Sequence, residues 1–436
     1  MAALFEFSPV FEHNGAVVLS PNGLLSCKSM GSHCVVMHVV ETRTVGTFAC
    51  EGQIHTLSFA PNSRLVMATC LKAKTIHIFD IENPEWDCTI REGALGLRQA
   101  QWAPDSVHII TISDFSIRLT IWSLLNRSGR YIDAPKSIAC CAFTHDGKFA
   151  CFVVRSECKD YALIIDCSTW EEVNRFQLAS ENCTKIKFSS VDHIFMVVDH
   201  PLQYGVYFYD LNGVQQGGYR AYENALGVRN AVWSPCGQLI AVGSCDQKIR
   251  IVNALSFQIV ATLEHLSPVP VSENCVQYDQ TKESVGLSAV ALPHTRVYEA
   301  FQSDKYIELD MGPVVAKDAS YCGINRIAWS PSSKLLASVN DSCPNYIWIW
   351  SIETLELLVV VKGLHNVGSF SWIPNCEGEE RLLLVSGQPI ITEVSLSGIK
   401  AHRIQAPTNC VKLLCSTSSK SIIVASDTHL HFGYFH

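Results

Sequence analysis

The amino-acid sequence predicts an all-β propeller of about nine four-stranded blades. Three observations predict it. A short turn pattern recurs at a nearly fixed spacing, apolar and polar residues alternate between those turns, and no helical period of useful length competes.

The turn pattern is an apolar strand ending in an aromatic or apolar residue, then Ser or Ala, then Pro and a polar turn. It begins at Leu19, Phe59, Trp102, Phe143, Phe188, Trp233, Trp329, Trp372 and Leu414. The copies at Phe143, Phe188 and Leu414 have lost the Pro. Successive intervals are 40, 43, 41, 45, 45, 96, 43 and 42 residues, and all but one match the period of a WD-type blade. The long interval holds an excursion between Leu266 and Tyr321, read as a degenerate insertion or an extra blade (266–321). Within it ENCVQYD (273–279) and KYIELDM (305–311) resemble strands.

Each period then repeats one internal order. A small-residue strand follows the Pro turn, as in LIAVGS (239–244) and LLASVN (335–340). A polar turn comes next, often with Asp: Asp114, Asp199, Asp246, Asp341 and Asp427. The third strand alternates and ends in an aromatic and a polar residue, as in IHIFD (76–80), LTIWS (119–123), VYFYD (206–210) and IWIWS (347–351). A fourth run such as QIVATL (258–263) closes the unit. The last period supplies only three strands, so Leu4 to Phe7 are expected to provide the fourth and close the ring, leaving no sheet edge open. One propeller spanning 1–436 is the first reading, and two smaller propellers the alternative.

Composition narrows the function. Hydrophobic residues make up 48% of the 436 and charged residues 17%, enough for a core and too apolar for general disorder. Net charge is −8, and the 33 Lys and Arg are scattered, so a nucleic-acid backbone is not the expected ligand. No apolar run is long enough to span a membrane, and the first residues lack the pattern of a secretory signal. The 19 cysteines are therefore expected to stay reduced, many as core residues in strands (Cys34, Cys151, Cys167, Cys245). Cys140 and Cys141 are adjacent and, in a strand, point to opposite faces. No Cys-x-x-Cys pair suggests a metal site.

Catalytic signatures are absent: there is no P-loop, no Gly-x-Gly-x-x-Gly after a strand, no His-Glu-x-x-His and no Gly-x-Ser-x-Gly. No enzyme, cofactor or metal is expected. The turn aspartates suit tight β turns. Trp102, Trp122, Trp233, Trp329, Trp350 and Trp372 suit blade cores better than base-stacking platforms.

Three segments stand out as candidate partner contacts. Pro84, Glu85 and Trp86 lead into an outer strand, where an exposed Trp would anchor an interface and a buried one would sit between blades. Cys158, Lys159, Asp160 and Tyr161 form an inter-strand turn. Asn340, Asp341, Pro344 and Asn345 belong to a longer turn stiffened by its Pro. For the last two, a turn shape peculiar to the fold is the plainer reading.

Beyond the repeat consensus, NPEWDCTIREGALGLRQAQWAPD (83–105), DFSIRLTIWSL (114–124), ECKDYALIIDCSTW (157–170), GVRNAVWSPCGQLIAVGSCDQKIRIVN (227–253) and NDSCPNYIWIWSI (340–352) are distinctive. Together they resemble the centrosome and spindle-pole WD-repeat family, the type encoded antisense to a p53-family gene. The resemblance is collinear from about residue 15 to 430. It implies a non-enzymatic scaffold in the cytoplasm and cytoskeleton, at centrosomes, spindle poles or basal bodies. It also implies partnership with a coiled-coil spindle-anchoring protein and a kinesin-14 type motor, in microtubule minus-end anchoring, spindle organisation and cilium formation. The chain departs from the family over 266–321 and in the acidic stretch at 377–380. The Gly-His dyad of WD repeats is nearly absent, with only His265 and His365 near its place. The rival readings are a translation-initiation-type nine-bladed propeller contacting ribosome or RNA, and an enzyme using the central channel.

Overall fold

The computed structural model describes residues 5–220, 226–265, 267–270, 275–281, 297–302, 306–309, 322–374, 378–404, 409–416 and 421–435. They form an all-β propeller fold of nine blades, each built on four antiparallel strands, a to d, consecutive in the chain except in blade 9. Each repeated turn begins where a strand a ends. Val17–Leu19, Thr56–Phe59, Gln99–Trp102, Cys141–Phe143, Cys183–Phe188, Val228–Trp233, Arg326–Trp329, Ser369–Trp372 and Lys412–Cys415 are these nine strands, opening blades 1 to 9. Among the described residues the only helical turns are three short 3-10 segments, and no helix is long and apolar enough to cross a membrane.

The chain divides into two compact units. One holds residues 1–178 and 411–436, with blades 1 to 4 and 9. In it Phe5–Phe7 pairs antiparallel with His429–Phe435, Phe7 opposite Gly433, and supplies strand d of blade 9. The other holds residues 179–410, with blades 5 to 8.

Burial follows position in the blade. Strands b and c are covered on both faces, so Leu65–Cys70 and Thr75–Asp80 of blade 2 are buried almost throughout. The outer strand Asp87–Arg91 is exposed at both ends, with Ile90 buried. Side chains from neighbouring blades meet in separate apolar seams, such as Met67, Ile76, Ile78, Ile90 and Ile109 between blades 2 and 3. Burying one such side chain contributes roughly 1.5–3 kcal/mol.

The anchor tryptophans staple these seams. Each donates its indole N–H to a strand-a carbonyl of the preceding blade: Trp102 to Ser58 (3.4 Å), Trp233 to Lys187 (3.3 Å), Trp329 to Val232 (3.1 Å) and Trp372 to Ala328 (3.0 Å). The a–b turns are joined too. Ser63, Ser106 and Ser333 adopt left-handed φ of 61°, 60° and 65°. Their hydroxyls accept the N–H of Asn22 (3.1 Å), Asn62 (3.0 Å) and Cys236 (3.0 Å) in the preceding turn. The hydrogen bond explains why serine stands at a φ that favours glycine.

The excursion departs from a blade. Val276–Gln280 lies parallel to strand d of blade 7 (Leu357–Lys362) and Tyr298–Gln302 pairs antiparallel beyond it, giving a six-stranded sheet. Val269–Pro270 pairs with Tyr306–Ile307, the only described strand in the second run anticipated there. Within the acidic stretch, Glu377 lies outside the described residues. Glu380 accepts the Ser332 N–H (3.0 Å) and Glu379 binds Ser397 (2.5 and 2.6 Å), so both join turns of this unit.

The described cysteines are all free. Cys34 and Cys151 are buried in strands, whereas Cys167 and Cys245 fall one residue past their strands and are half-buried. Cys140 closes a 3-10 turn and Cys141 opens the next strand, so they are not two residues of one strand.

Candidate partner-binding surface

Pro84, Glu85 and Trp86 lie in the c–d turn of blade 2, between Thr75–Asp80 and Asp87–Arg91. The turn is held from its first residue. Arg64 grips the Asp80 carboxylate with Nε (2.9 and 3.0 Å) and Nη2 (2.5 Å), and the same carboxylate accepts the Glu82 N–H at 3.0 Å. The guanidinium holds the Asp80 carboxyl below the usual carboxylate range. The Trp86 N–H then closes on Asn83 O at 3.0 Å. Pro84 and Glu85 stay exposed, and Trp86 is half-buried against the blade 2–3 seam. It is neither a free surface anchor nor a core residue.

The c–d turn of blade 3 faces it. Leu124 is tied by its N–H to Val107 O (3.1 Å), Leu125 is 78% exposed, and Arg127 takes a left-handed φ of 50°. Two cavities flank the pair of turns. One, ≈ 390 Å³, runs along all of strand d of blade 2 and is walled by Trp122, Leu124 and Arg127. The other, ≈ 640 Å³, opens among the a–b and c–d turns of both blades. Trp86, Leu124 and Arg127 line both, so an aromatic, an aliphatic and a cationic group stand where the two meet the blade 2–3 groove. Aromatic and Arg side chains in such a setting are the usual anchors of protein interfaces.

The second candidate segment is a tight hairpin between Phe149–Ser156 and Lys159–Asp166, with Glu157 and Cys158 both at positive φ (51° and 62°). Cys158 and Lys159 are exposed. Asp160 is buried and bound to Lys136 Nζ at 2.7 Å, so its carboxylate is held inside the blade. Tyr161 is half-buried with Arg175 over its ring at 5.6 Å. As a b–c turn, this hairpin lies at the opposite end of its blade from the c–d turn that carries Arg127 on blade 3, so it is not part of the groove.

The third, between Leu335–Val339 and Tyr346–Ser351, belongs to the other unit and is locked from within. Asn340 is fully buried; its side chain donates to Gln247 (3.1 Å) and accepts the Ser342 N–H (3.1 Å). Arg229 reaches Asp341 at 3.4 Å. Pro344 O accepts the Val367 N–H (2.8 Å), and Asn345 O the Gly363 N–H (2.9 Å). Pro344 and Asn345 remain half-exposed. The turn's length thus serves internal bonding.

The sequence matches the family model "WD domain, G-beta repeat" over residues 216–253, which covers strand d of blade 5 and strands a to c of blade 6. It is 31% identical over 397 residues to the WD repeat-containing protein WRAP73 of Mus musculus, spanning 87% of this chain and 85% of that one. The chain belongs to the WRAP73 family of WD-repeat proteins. It is also 22% identical over 306 residues to the uncharacterized WD repeat-containing protein C32H8.09 of Schizosaccharomyces pombe, covering 69% of this chain and 60% of that one. Among solved structures, KlHsv2 with loop 6CD replaced by a Gly-Ser linker is 10% identical, with a TM-score of 0.48, over 80% of this chain and 97% of that one.

WD-repeat proteins of this kind are generally non-enzymatic interaction scaffolds. Several polar groups are buried between the blades of this one. Two of them, His265 and Glu92, stand at the same place in their blades, the first residue after strand d. His265, after Ile259–Glu264, meets Ser338 Oγ (2.8 Å), which accepts from Trp350 Nε1 (3.3 Å). Burial lowers the His265 pKa to about 3, so its ring is neutral. His365 is exposed and takes no such place. Glu92, after Asp87–Arg91, accepts from Trp122 Nε1 (3.0 Å) and from Thr111, and faces Arg118 at 3.4 Å. These networks were missed in the sequence because no motif spacing links their members. Among the described residues, no three His, Cys, Asp or Glu side chains are placed to hold a metal ion. Three of the turn aspartates are held by protein groups: Asp199 accepts N–H groups of Asn182 and His200 (each 2.9 Å), Asp246 pairs with Arg250 (2.5 Å), and Asp341 with Arg229 (3.4 Å).

Proposed function

We propose that this protein is a non-enzymatic adaptor of the cytoskeleton, placed at spindle poles, centrosomes or basal bodies. There it holds a coiled-coil spindle-anchoring protein and a kinesin-14 type motor, so that microtubule minus ends are anchored and spindle and cilium assembly are supported. The observation that carries this reading is the 31% identity to a WRAP73 protein across 87% of the chain, which extends through segments a generic blade does not require. The rigidity of the blades suits the role: fixed contacts on one body raise the effective concentration of partners that bind each site weakly.

The test is affinity purification of the tagged full chain from dividing cells, with crosslinking, at two salt concentrations. Salt-stable recovery of a coiled-coil pole protein supports the adaptor. Recovery of ribosomal subunits or RNA without any pole component overturns it.

A further inference from the structure

We infer that the blade 2–3 groove takes an extended peptide as a fifth strand on the outer edge of blade 2, and that the peptide carries an acidic residue for Arg127. The inference deepens the adaptor reading by naming how one partner is held.

The edge is chemically open. Strand Asp87–Arg91 pairs on one side only, with Thr75–Asp80. The Glu92 N–H closes on Lys74 O (3.4 Å), which fixes the alternation along the ladder. Cys88 and Ile90 therefore bond inward, while Asp87, Thr89 and Arg91 turn N–H and C=O outward. The ≈ 390 Å³ cavity follows this edge along its whole length. The molecule already uses such an addition: Val276–Gln280 lies on the outer strand of blade 7, Val276 opposite Val359 and Tyr278 opposite Val361. On blade 2 the same edge is vacant among the described residues.

The walls define what fits. Main-chain bonding supplies affinity in strand addition, and alternate side-chain pockets supply selectivity. Trp86, Trp122 and Leu124 offer an apolar wall to every second residue of the incoming strand. Arg127 forms no ion pair among the described residues, unlike Arg64 with Asp80 and Glu82 or Arg91 with Glu51. It lines the same cavity as all five residues of the strand. An unpaired guanidinium beside a groove walled by Trp86, Trp122 and Leu124 calls for a carboxylate. Asp87 is exposed on the same strand and disfavours a second acid opposite it. The occupant is thus an extended segment of alternating apolar residues with one acidic residue.

The test uses the full chain and a display library of random 12-residue peptides, followed by synthetic copies of the enriched sequences. The inference expects alternating apolar positions with an acidic residue, and slowed amide exchange at residues 87–91 when peptide is bound. Arg127→Glu should weaken binding by roughly tenfold or more. Thr89→Pro should abolish it, since proline is tolerated at an edge but cannot donate to an added strand. Should Thr89→Pro disturb the fold, Leu125→Asp with Arg127→Glu decides the matter. Failure to enrich peptides, indifference to Arg127→Glu, or protection on another blade overturns the site. The two readings fail separately. Wild-type chain that recovers no pole protein sinks the adaptor and leaves the peptide result standing. Pole recovery with peptides indifferent to Arg127→Glu sinks the site alone.

Discussion

Removing the Glu92 carboxylate should open the blade 2–3 seam by about 3 kcal/mol, and each part of that figure has a source in the structure. The side chain is 1% exposed and serves three groups. Trp122 Nε1 donates to it at 3.0 Å and to Thr111 Oγ1 at the same distance, so the indole loses one of two acceptors in Glu92→Ala. The Thr111 hydroxyl loses its strong acceptor and keeps only a 3.5 Å contact to Thr120 O. A buried donor left unsatisfied costs about 1–3 kcal/mol. Arg118 adds less, because it is 25% exposed and lies over the Tyr131 ring at 4.3 Å, where water can still reach it. Glu92→Gln keeps an acceptor for the indole and loses only the charge, and should cost about 1 kcal/mol. A repeat protein of this length need not unfold in one step. Native-state hydrogen exchange of blade 3 amides in low urea is therefore the assay. An alanine variant no weaker than wild type by 1 kcal/mol would refute the reasoning. So would a glutamine variant as damaged as alanine, since that would make the Arg118 pair, not the hydrogen bonds, the source of the effect.

Two further perturbations follow from the same kind of contact. His265 is neutral in the fold, with its pKa lowered to about 3 by burial against an unfolded value near 6.5. Its contribution is complete above pH 6.5 and is lost as pH falls toward 3, by up to about 1.4 kcal/mol per pH unit. His265→Gln should flatten that part of a denaturant-midpoint profile measured from pH 7 to pH 4, and an unchanged slope would contradict it. Trp372→Phe removes the indole bond to Ala328 O together with part of the buried ring and should cost about 1–2 kcal/mol, whereas Trp372→Ala should cost roughly 3–5 kcal/mol by cavity formation. Equal losses in thermal or denaturant unfolding would show that the staple carries nothing of its own.

The repeat was legible because its punctuation is local. The a–b turns share a polar residue, often Pro, and in six of them a Gly or Ser at left-handed φ (Gly23, Ser63, Ser106, Gly147, Gly237 and Ser333), so nine copies could be read off, each at the end of a strand a. Strands b and c were legible for the same reason: LIAVGS is observed as Leu239–Ser244, and LTIWS gains only Arg118. What failed to show was anything set by partners far along the chain. Asp160 looked like a turn residue, yet in the hairpin register it lies opposite Arg155 and its carboxylate meets Lys136, 24 positions away. Asn340 reads as a turn former and is buried against Gln247, 93 positions distant. The Trp86 side chain fell between the two expected outcomes because its setting is made by blade 3, whose turn the local sequence does not specify.

The seam and the groove are one construction. Trp122 turns its indole N–H inward to Glu92 and Thr111 while its ring walls the cavity along strand d of blade 2. Arg91, which ends that strand, is followed directly by Glu92, so the strand edge and the wall opposite it are fixed by adjacent residues. A wall set before a ligand arrives need not be ordered during binding, which favours affinity. The identity of the seam residue then matters less than its reach. His265 and Glu92 occupy the same repeat position with different chemistry, and each holds a strand-c tryptophan through a strand-b hydroxyl. Only in the blade 2–3 pair does the tryptophan so held also line a groove with Arg127. The polar network that stabilises the blade therefore also shapes the surface proposed to receive a partner, which is why a change at buried Glu92 should be felt at the exposed edge one residue away.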